Sequence, residues 1–221
     1  MDIFDDEARL LEIVGRATQI STILMNVTGV PMVYGMLSKN DTRHVPYHFF
    51  ILGFIVNSIF LAYGLSVGDF TLNLTSGFGL IMNTFYLSSY LYAVQHKTTV
   101  LTLLFVAAGF LAGLYGYVNF VVHPSLRHEK VGFIGCIMTM MMQVSPLIQV
   151  KEFVRAESCA GMSKLMVFGG IFCASSWFAY GKLINDFYVY SPNVPGLAVS
   201  AVQIALLLIY GDAKKTKEKM K

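Results

Sequence analysis

The sequence predicts an all-α membrane protein: seven transmembrane helices forming two parallel three-helix bundles joined by a linker helix. Three observations carry this. Of 221 residues, 55% are hydrophobic and only 13% charged, against about 25% charged in a typical soluble domain. That is too few to cover a water-facing surface. Seven long stretches contain no Asp, Glu, Lys or Arg. Finally, the chain repeats itself. Phe60-x-x-Tyr63-Gly64, then Asp69-Phe70, Ser76 and Gly79, returns 117 positions later as Trp177-x-x-Tyr180-Gly181, Asp186-Phe187, Asn193 and Gly196. A spacing shared over so many positions marks one structural unit present twice.

The uncharged stretches are residues 17–37, 45–68, 71–95, 98–122, 131–150, 165–181 and 187–210. Each is near or above the ~18–20 residues that a helix needs to cross a bilayer. They are continuous rather than alternating, which excludes a strand barrel. The sixth is the shortest, but Lys164 and Lys182 flank it and can snorkel to the interfaces. The first three stretches make the first repeat, residues 16–94, and the last three the second, residues 131–210. Residues 99–122, rich in Gly, Ala and Leu, form the linker helix. Three spans leave the chain on the far side of the membrane, and a fourth brings it back. The second triplet therefore enters in the same orientation as the first, as a parallel repeat.

Orientation follows from the basic residues. With residues 1–15 outside, the cytoplasmic side collects 11 of the 16 Lys and Arg, five of them in the Lys-rich tail of residues 211–221. That asymmetry sets the N-terminus outside and the C-terminus inside. Asp2, Asp5, Asp6 and Glu7 replace the basic region of a cleavable signal, so the first helix is expected to be retained. The expected location is the plasma membrane, the Golgi membrane or both; the tail's Lys217-x-Lys219-x-Lys221 is similar to a dilysine retrieval signal. The three cysteines, Cys136, Cys159 and Cys173, show neither paired nor metal-ligand spacing. No metal, cofactor or nucleic-acid partner is expected. No paired carboxylate or base-oriented nucleophile falls inside the spans, which argues against an enzyme.

Pro31 pairs with Pro146 at an offset of 115, and Pro46 maps onto Ser163 at 117. Prolines within a span interrupt helical hydrogen bonding, so Pro31, Pro46 and Pro146 are candidate hinges, with static packing geometry as the alternative.

The second copy reads Ser145-Pro146-Leu147, Ser158, Met162, Trp177-Phe178-x-Tyr180-Gly181, Asp186-Phe187, Pro192-Asn193-x-x-Gly196, Gln203 and Tyr210. This order resembles the SWEET family of sugar uniporters over nearly the whole chain, with the second repeat the closer match. The resemblance implies bidirectional facilitated diffusion of mono- or disaccharides by alternating access, from a pocket between the two bundles. It implies that Trp177 stacks on the sugar and Asn193 hydrogen-bonds it. Phe60 and Ser76 hold the matching places of the first repeat, where the family commonly has Trp and Asn. Val27 and Met142 stand where the family sets sugar size, with Val56 and Cys173 one turn below the aromatics. An outer gate pairs Tyr63 with Asp186 and Tyr180 with Asp69. The family's four hinge prolines appear as Pro31, Pro46 and Pro146, with Ser163 in the fourth place. Homo-oligomers are expected from the resemblance alone.

The residues support this independently. A sugar offers hydroxyls and an apolar face, and a site for it needs amides or hydroxyls beside a flat aromatic surface. Trp177 and Asn193 supply one of each, and Phe60 and Ser76 supply weaker versions. Asn193 could instead join two helices or cap one, and Trp177 could be an interfacial anchor. Asn26, Asn57, Asn83, Gln143 and Gln203 are further amides within spans, most of them assigned to helix packing. The span centres carry no charge, which fits a passive carrier of a neutral solute. Val45 and Met162, matched at 117 and next to Pro46 and Ser163, are candidates for an inner gate. The expected partners are a small neutral sugar and the lipid bilayer. Bulky Met142 favours a glucose-like monosaccharide over sucrose. The alternatives are a carrier of another small neutral solute, or a seven-helix ligand-binding receptor of the KDEL-receptor type.

Overall fold

A computed structural model describes residues 3–43, 45–159 and 162–210, with side chains for residues 6–43, 45–147, 150–159 and 162–210. The tail lysines therefore lie outside the described residues. Among these residues the fold is helical throughout. The α-helices are α1 Ile3–Val27, α2 Val30–Lys39, α3 Tyr47–Val67, α4 Phe70–Ala93, α5 Thr98–Gly116, α6 Arg127–Val144, α7 Leu147–Ala156, α8 Lys164–Leu183, α9 Phe187–Tyr190 and α10 Asn193–Tyr210. A π-helical turn, Tyr117–Val121, continues α5, and a 3-10 turn, Pro124–Leu126, leads into α6.

Each uncharged stretch of the sequence becomes one helix or a pair broken at a proline. α1 and α2 are separated at Thr28–Gly29, just before Pro31. α6 and α7 are separated at Ser145–Pro146, and α9 and α10 at Ser191–Pro192. Proline has no N–H to give the preceding turn, which leaves carbonyls free. Before Pro146 a hydroxyl takes over that duty: Ser145 Oγ donates to Met142 O, the carbonyl four residues before the proline, at 2.7 Å. At the first break Thr28 Oγ1 donates to Met25 O at 2.6 Å. Pro46 and Ser163 differ from these: both occupy the N-cap position of a helix, α3 and α8, rather than its interior.

Among the described residues four helical stretches are long and apolar enough to cross a membrane: Asp6–Lys39, Tyr47–Val67, Thr98–Val121 and Phe187–Tyr210. The other three stretches fall short for identifiable reasons. α4 carries Thr71, Thr75, Ser76 and Asn83, all buried, and this polar set faces the protein interior. α6 opens on Arg127, His128, Glu129 and Lys130 and stops before Pro146, leaving a short apolar remainder. α8 mixes Ser175, Ser176 and Lys182 into its apolar run.

The described chain divides into two compact units. One is Gly15–Met138, and the other joins residues from Thr139 onward to those before Gly15. In the first unit α3 packs along α4, and α2 and α5 lie against that pair. Its core holds Val33, Ile51, Ile59, Tyr86, Leu87 and Val100. Arg127 closes α5 and its π-helical turn: its Nη2 donates to Asn119 O at 2.7 Å, a cation on the carbonyl end of a helix. In the second unit α8 packs against both α9 and α10.

The backbone carries the repeat more faithfully than the side chains do. Among the described residues four have left-handed φ: Asn40 at 49°, Gly68 at 72°, Glu157 at 45° and Asn185 at 53°. They form two pairs, 40 with 157 and 68 with 185, each 117 apart. The first pair ends α2 and α7, and the second lies in the turns that follow α3 and α8.

Candidate substrate-binding residues

In the unit Gly15–Met138, α3 presents Phe60 and Tyr63 one turn apart, both buried. Their rings meet edge to face, with centroids 6.3 Å apart and planes at 87°. Val56 is half-buried one turn earlier on the same helix. Ser76, on α4, is 5% exposed. Val27 is the last residue of α1, beside the break, and is more exposed than these, at 41%. Val45 is buried in the turn before Pro46.

The second unit repeats the aromatic geometry. Trp177 and Tyr180 on α8 also meet edge to face, at 6.0 Å and 86°. Cys173 is half-buried one turn before Trp177, and Met142 is half-buried on the last turns of α6. Met162 is half-buried beside Ser163, whose hydroxyl accepts from Met166 N at 3.3 Å to start α8. The sequence thus sets the same tyrosine beside both candidate stacking rings and fixes the ring in an orientation that aromatic quadrupoles favour.

Asn193 opens α10 and is 7% exposed. Its Nδ2 donates to Val189 O at 2.8 Å, which fixes which end of the amide is nitrogen. Its Oδ1 accepts from Gln143 Nε2 at 3.4 Å. Gln143 is one of the five further amides of the spans, most of which the sequence assigns to helix packing; the structure brings it to the candidate sugar amide. Gly196 leaves room for it: a Cβ there would lie 2.6 Å from Gln143 Nε2.

The two repeated aspartates have a structural duty that the sequence reading missed. Asp69 Oδ1 accepts from Leu72 N at 2.7 Å and caps α4. Asp186 Oδ1 accepts from Tyr188 N at 2.9 Å and Val189 N at 3.3 Å and caps α9. The Asp-Phe string is a capping signature: a short acceptor satisfies the first free N–H groups of the following helix. The backbone approach is conserved too, with Asp69 N donating to Gly64 O at 3.0 Å and Asp186 N to Gly181 O at 2.9 Å. Of the cysteines, Cys159 lies in the turn after α7, where its Sγ donates to Leu206 O at 3.3 Å. Burial pushes that thiol's pKa up.

The sequence profile of a family described as sugar efflux transporters for intercellular exchange matches the chain twice, over residues 12–98 and 129–215. The two matches are themselves 117 residues apart. The Mus musculus protein named sugar transporter SWEET1 is 28% identical over 207 residues, covering 92% of this chain and 93% of its own length. The Oryza sativa protein named bidirectional sugar transporter SWEET12 is also 28% identical, covering 91% of this chain and 69% of its own. A solved structure of a eukaryotic SWEET transporter superposes with a TM-score of 0.85 at 22% identity, covering 96% of this chain and all of that one. Two profile matches, full-length relatives and the shared fold place the chain in one group: it belongs to the SWEET family of sugar transporters, multi-pass membrane proteins that are not enzymes.

Proposed function

We propose that this chain is a facilitative, bidirectional uniporter for a glucose-like monosaccharide, working by alternating access. The observation that carries the reading is that the second unit holds both an aromatic plane, Trp177, and a buried amide, Asn193, whose matching places in the first unit hold Phe60 and Ser76. Sugar C–H faces stack on such rings, and sugar hydroxyls both donate to and accept from such amides. The absence of charge from the span centres supports passive transport, since proton coupling uses a titratable group within the membrane. Breaks next to Pro31 and Pro146 supply places where each repeat can bend. Val27, Met142, Val56 and Cys173 set the size of the accepted sugar. Tyr63 with Asp186 and Tyr180 with Asp69 form the outer gate, and Val45 with Met162 the inner one. The N-terminus faces away from the cytoplasm, in the plasma membrane or the Golgi, and the protein works as a homo-oligomer.

The test is uptake of labelled glucose and sucrose by liposomes holding the purified chain, with and without a pH gradient. The expected result is glucose flux in both directions that equilibrates without the gradient, with sucrose slower. Uptake that requires the gradient overturns uniport. Full glucose flux in both Trp177→Ala and Asn193→Ala overturns the site.

A further inference from the structure

We infer that Gln143 is a positioning residue for the sugar amide, holding Asn193 so that its remaining N–H is the group offered to substrate. This rests on the reading of Asn193 as a sugar contact. An amide has two donor hydrogens and an acceptor oxygen, and in a buried setting its orientation is set by whatever already bonds it. Asn193 has both ends engaged within its own unit. Nδ2 gives one hydrogen to Val189 O at 2.8 Å, and Oδ1 faces Gln143 Nε2 at 3.4 Å. A flipped Asn193 would set its oxygen against the Val189 carbonyl and its nitrogen against the Gln143 nitrogen. Gln143 and Val189 therefore select one orientation.

Gly196 shows that the place is built for Gln143. It lies on α10 three residues after Asn193, and a Cβ there would come within 2.6 Å of Nε2 and 2.8 Å of Cδ. The bare glycine leaves room for the amide. Its first-repeat counterpart, Gly79, is also covered by an amide, but by Asn57 of α3, whose Nδ2 donates to Gly53 O of its own helix. The amide-to-amide bond is therefore a property of the second unit, where the stronger candidate ligands also lie.

Gln143 sits three residues before Pro146, on the last turn of α6. Its bond to Asn193 spans from that break to α10. At 3.4 Å the bond is long for N–H···O, so a modest change in the bend is enough to open it. Bending at Pro146 thus alters the hold on Asn193, linking the grip on the sugar to the angle of the helix pair.

The test uses the full chain in liposomes and glucose as the probe, with Gln143→Met, Gln143→Ala, Asn193→Ala and the Gln143→Met/Asn193→Ala double variant. Methionine keeps the length of glutamine and removes its donor. The chain has one tryptophan, Trp177, so glucose quenching of its fluorescence in detergent gives a binding constant independent of flux. Gln143→Met is expected to raise KM and the dissociation constant about threefold to tenfold, the size of one lost hydrogen bond in a buried site, with a smaller change in maximal flux and an unchanged melting temperature. In the Asn193→Ala background the same substitution is expected to change nothing further. Wild-type affinity in Gln143→Met, or effects of the two substitutions that multiply, overturns the proposal. Unchanged affinity in Asn193→Ala instead removes the site reading on which it rests.

Discussion

Asn57 and Asn83 form a reciprocal clasp between α3 and α4. Asn57 Nδ2 donates to Gly53 O and Asn83 Nδ2 donates to Gly79 O, each at 2.7 Å on its own helix. Each side chain then lies over the glycine that the other asparagine uses. A Cβ on Gly53 would stand 2.6 Å from Asn83 Oδ1, and one on Gly79 would meet Asn57 Oδ1. Small residues let membrane helices approach closely, and amides fill the space so made. Gly79→Ala should therefore lower stability by about 1–3 kcal/mol, the usual cost of overpacking. Gly77, with nothing within 4 Å of its Cβ position, is the control. Thermal unfolding in detergent followed by fluorescence-detected gel filtration should show Gly79→Ala shifted and Gly77→Ala near wild type.

Tyr86 latches the first helix break. Its hydroxyl donates to Asn26 O at 2.5 Å across 60 residues of sequence, and its ring lies 2.9 Å from where a Gly29 Cβ would be. Tyr86→Phe keeps the ring and loses only the bond, so it should cost about 1 kcal/mol. Gly29→Ala pushes the ring out and should cost more. The same melting measurement ranks the two; a neutral Gly29→Ala would show that the ring does not fill the notch.

Glu157 ends α7 with φ at 45°, a conformation that costs an L side chain about 1–2 kcal/mol and glycine very little. The residue is exposed, with no core packing to lose. Glu157→Gly should therefore raise the melting temperature, offset in part by the greater freedom of glycine in the unfolded chain.

The aspartates can be tested for two duties at once. Asp186→Asn keeps an N-cap acceptor and removes the charge, whereas Asp186→Ala removes both. The alanine variant should lose about 1 kcal/mol of stability and the asparagine variant close to none. If the carboxylate also serves the gate, Asp186→Asn will slow glucose exchange while melting like wild type. Wild-type exchange in Asp186→Asn would leave only the capping role.

The asymmetry of the candidate site predicts an asymmetric response. Trp177→Ala should weaken glucose binding more than Phe60→Ala, and Asn193→Ala more than Ser76→Ala. Equilibrium exchange at several glucose concentrations measures all four.

The helices were legible because a bilayer demands long uncharged runs, and the breaks at Pro31 and Pro146 because proline's missing N–H is visible as a letter. Repetition of Tyr63-Gly64 and Tyr180-Gly181 led to the paired edge-to-face rings. Other features were hidden for physical reasons. Asp69 and Asp186 look like charges in a sequence, and only the helix starts reveal them as caps. Gln143 lies 50 residues from Asn193, and no periodicity within one helix reports an amide that reaches across to another. The left-handed positions were concealed by identity: Gly68 invites that reading, but Glu157 does not.

Those corners have a consequence for the ancestry of the two halves. The repeat sets Asn40 against Glu157 and Gly68 against Asn185, and no corner changes hand. Drift has rewritten the letters while the route of the chain stayed put. A corner exchanged between halves, such as residues 38–42 for 155–159, should be accepted as a spare part of the same gauge, even where no letter at the turn is shared.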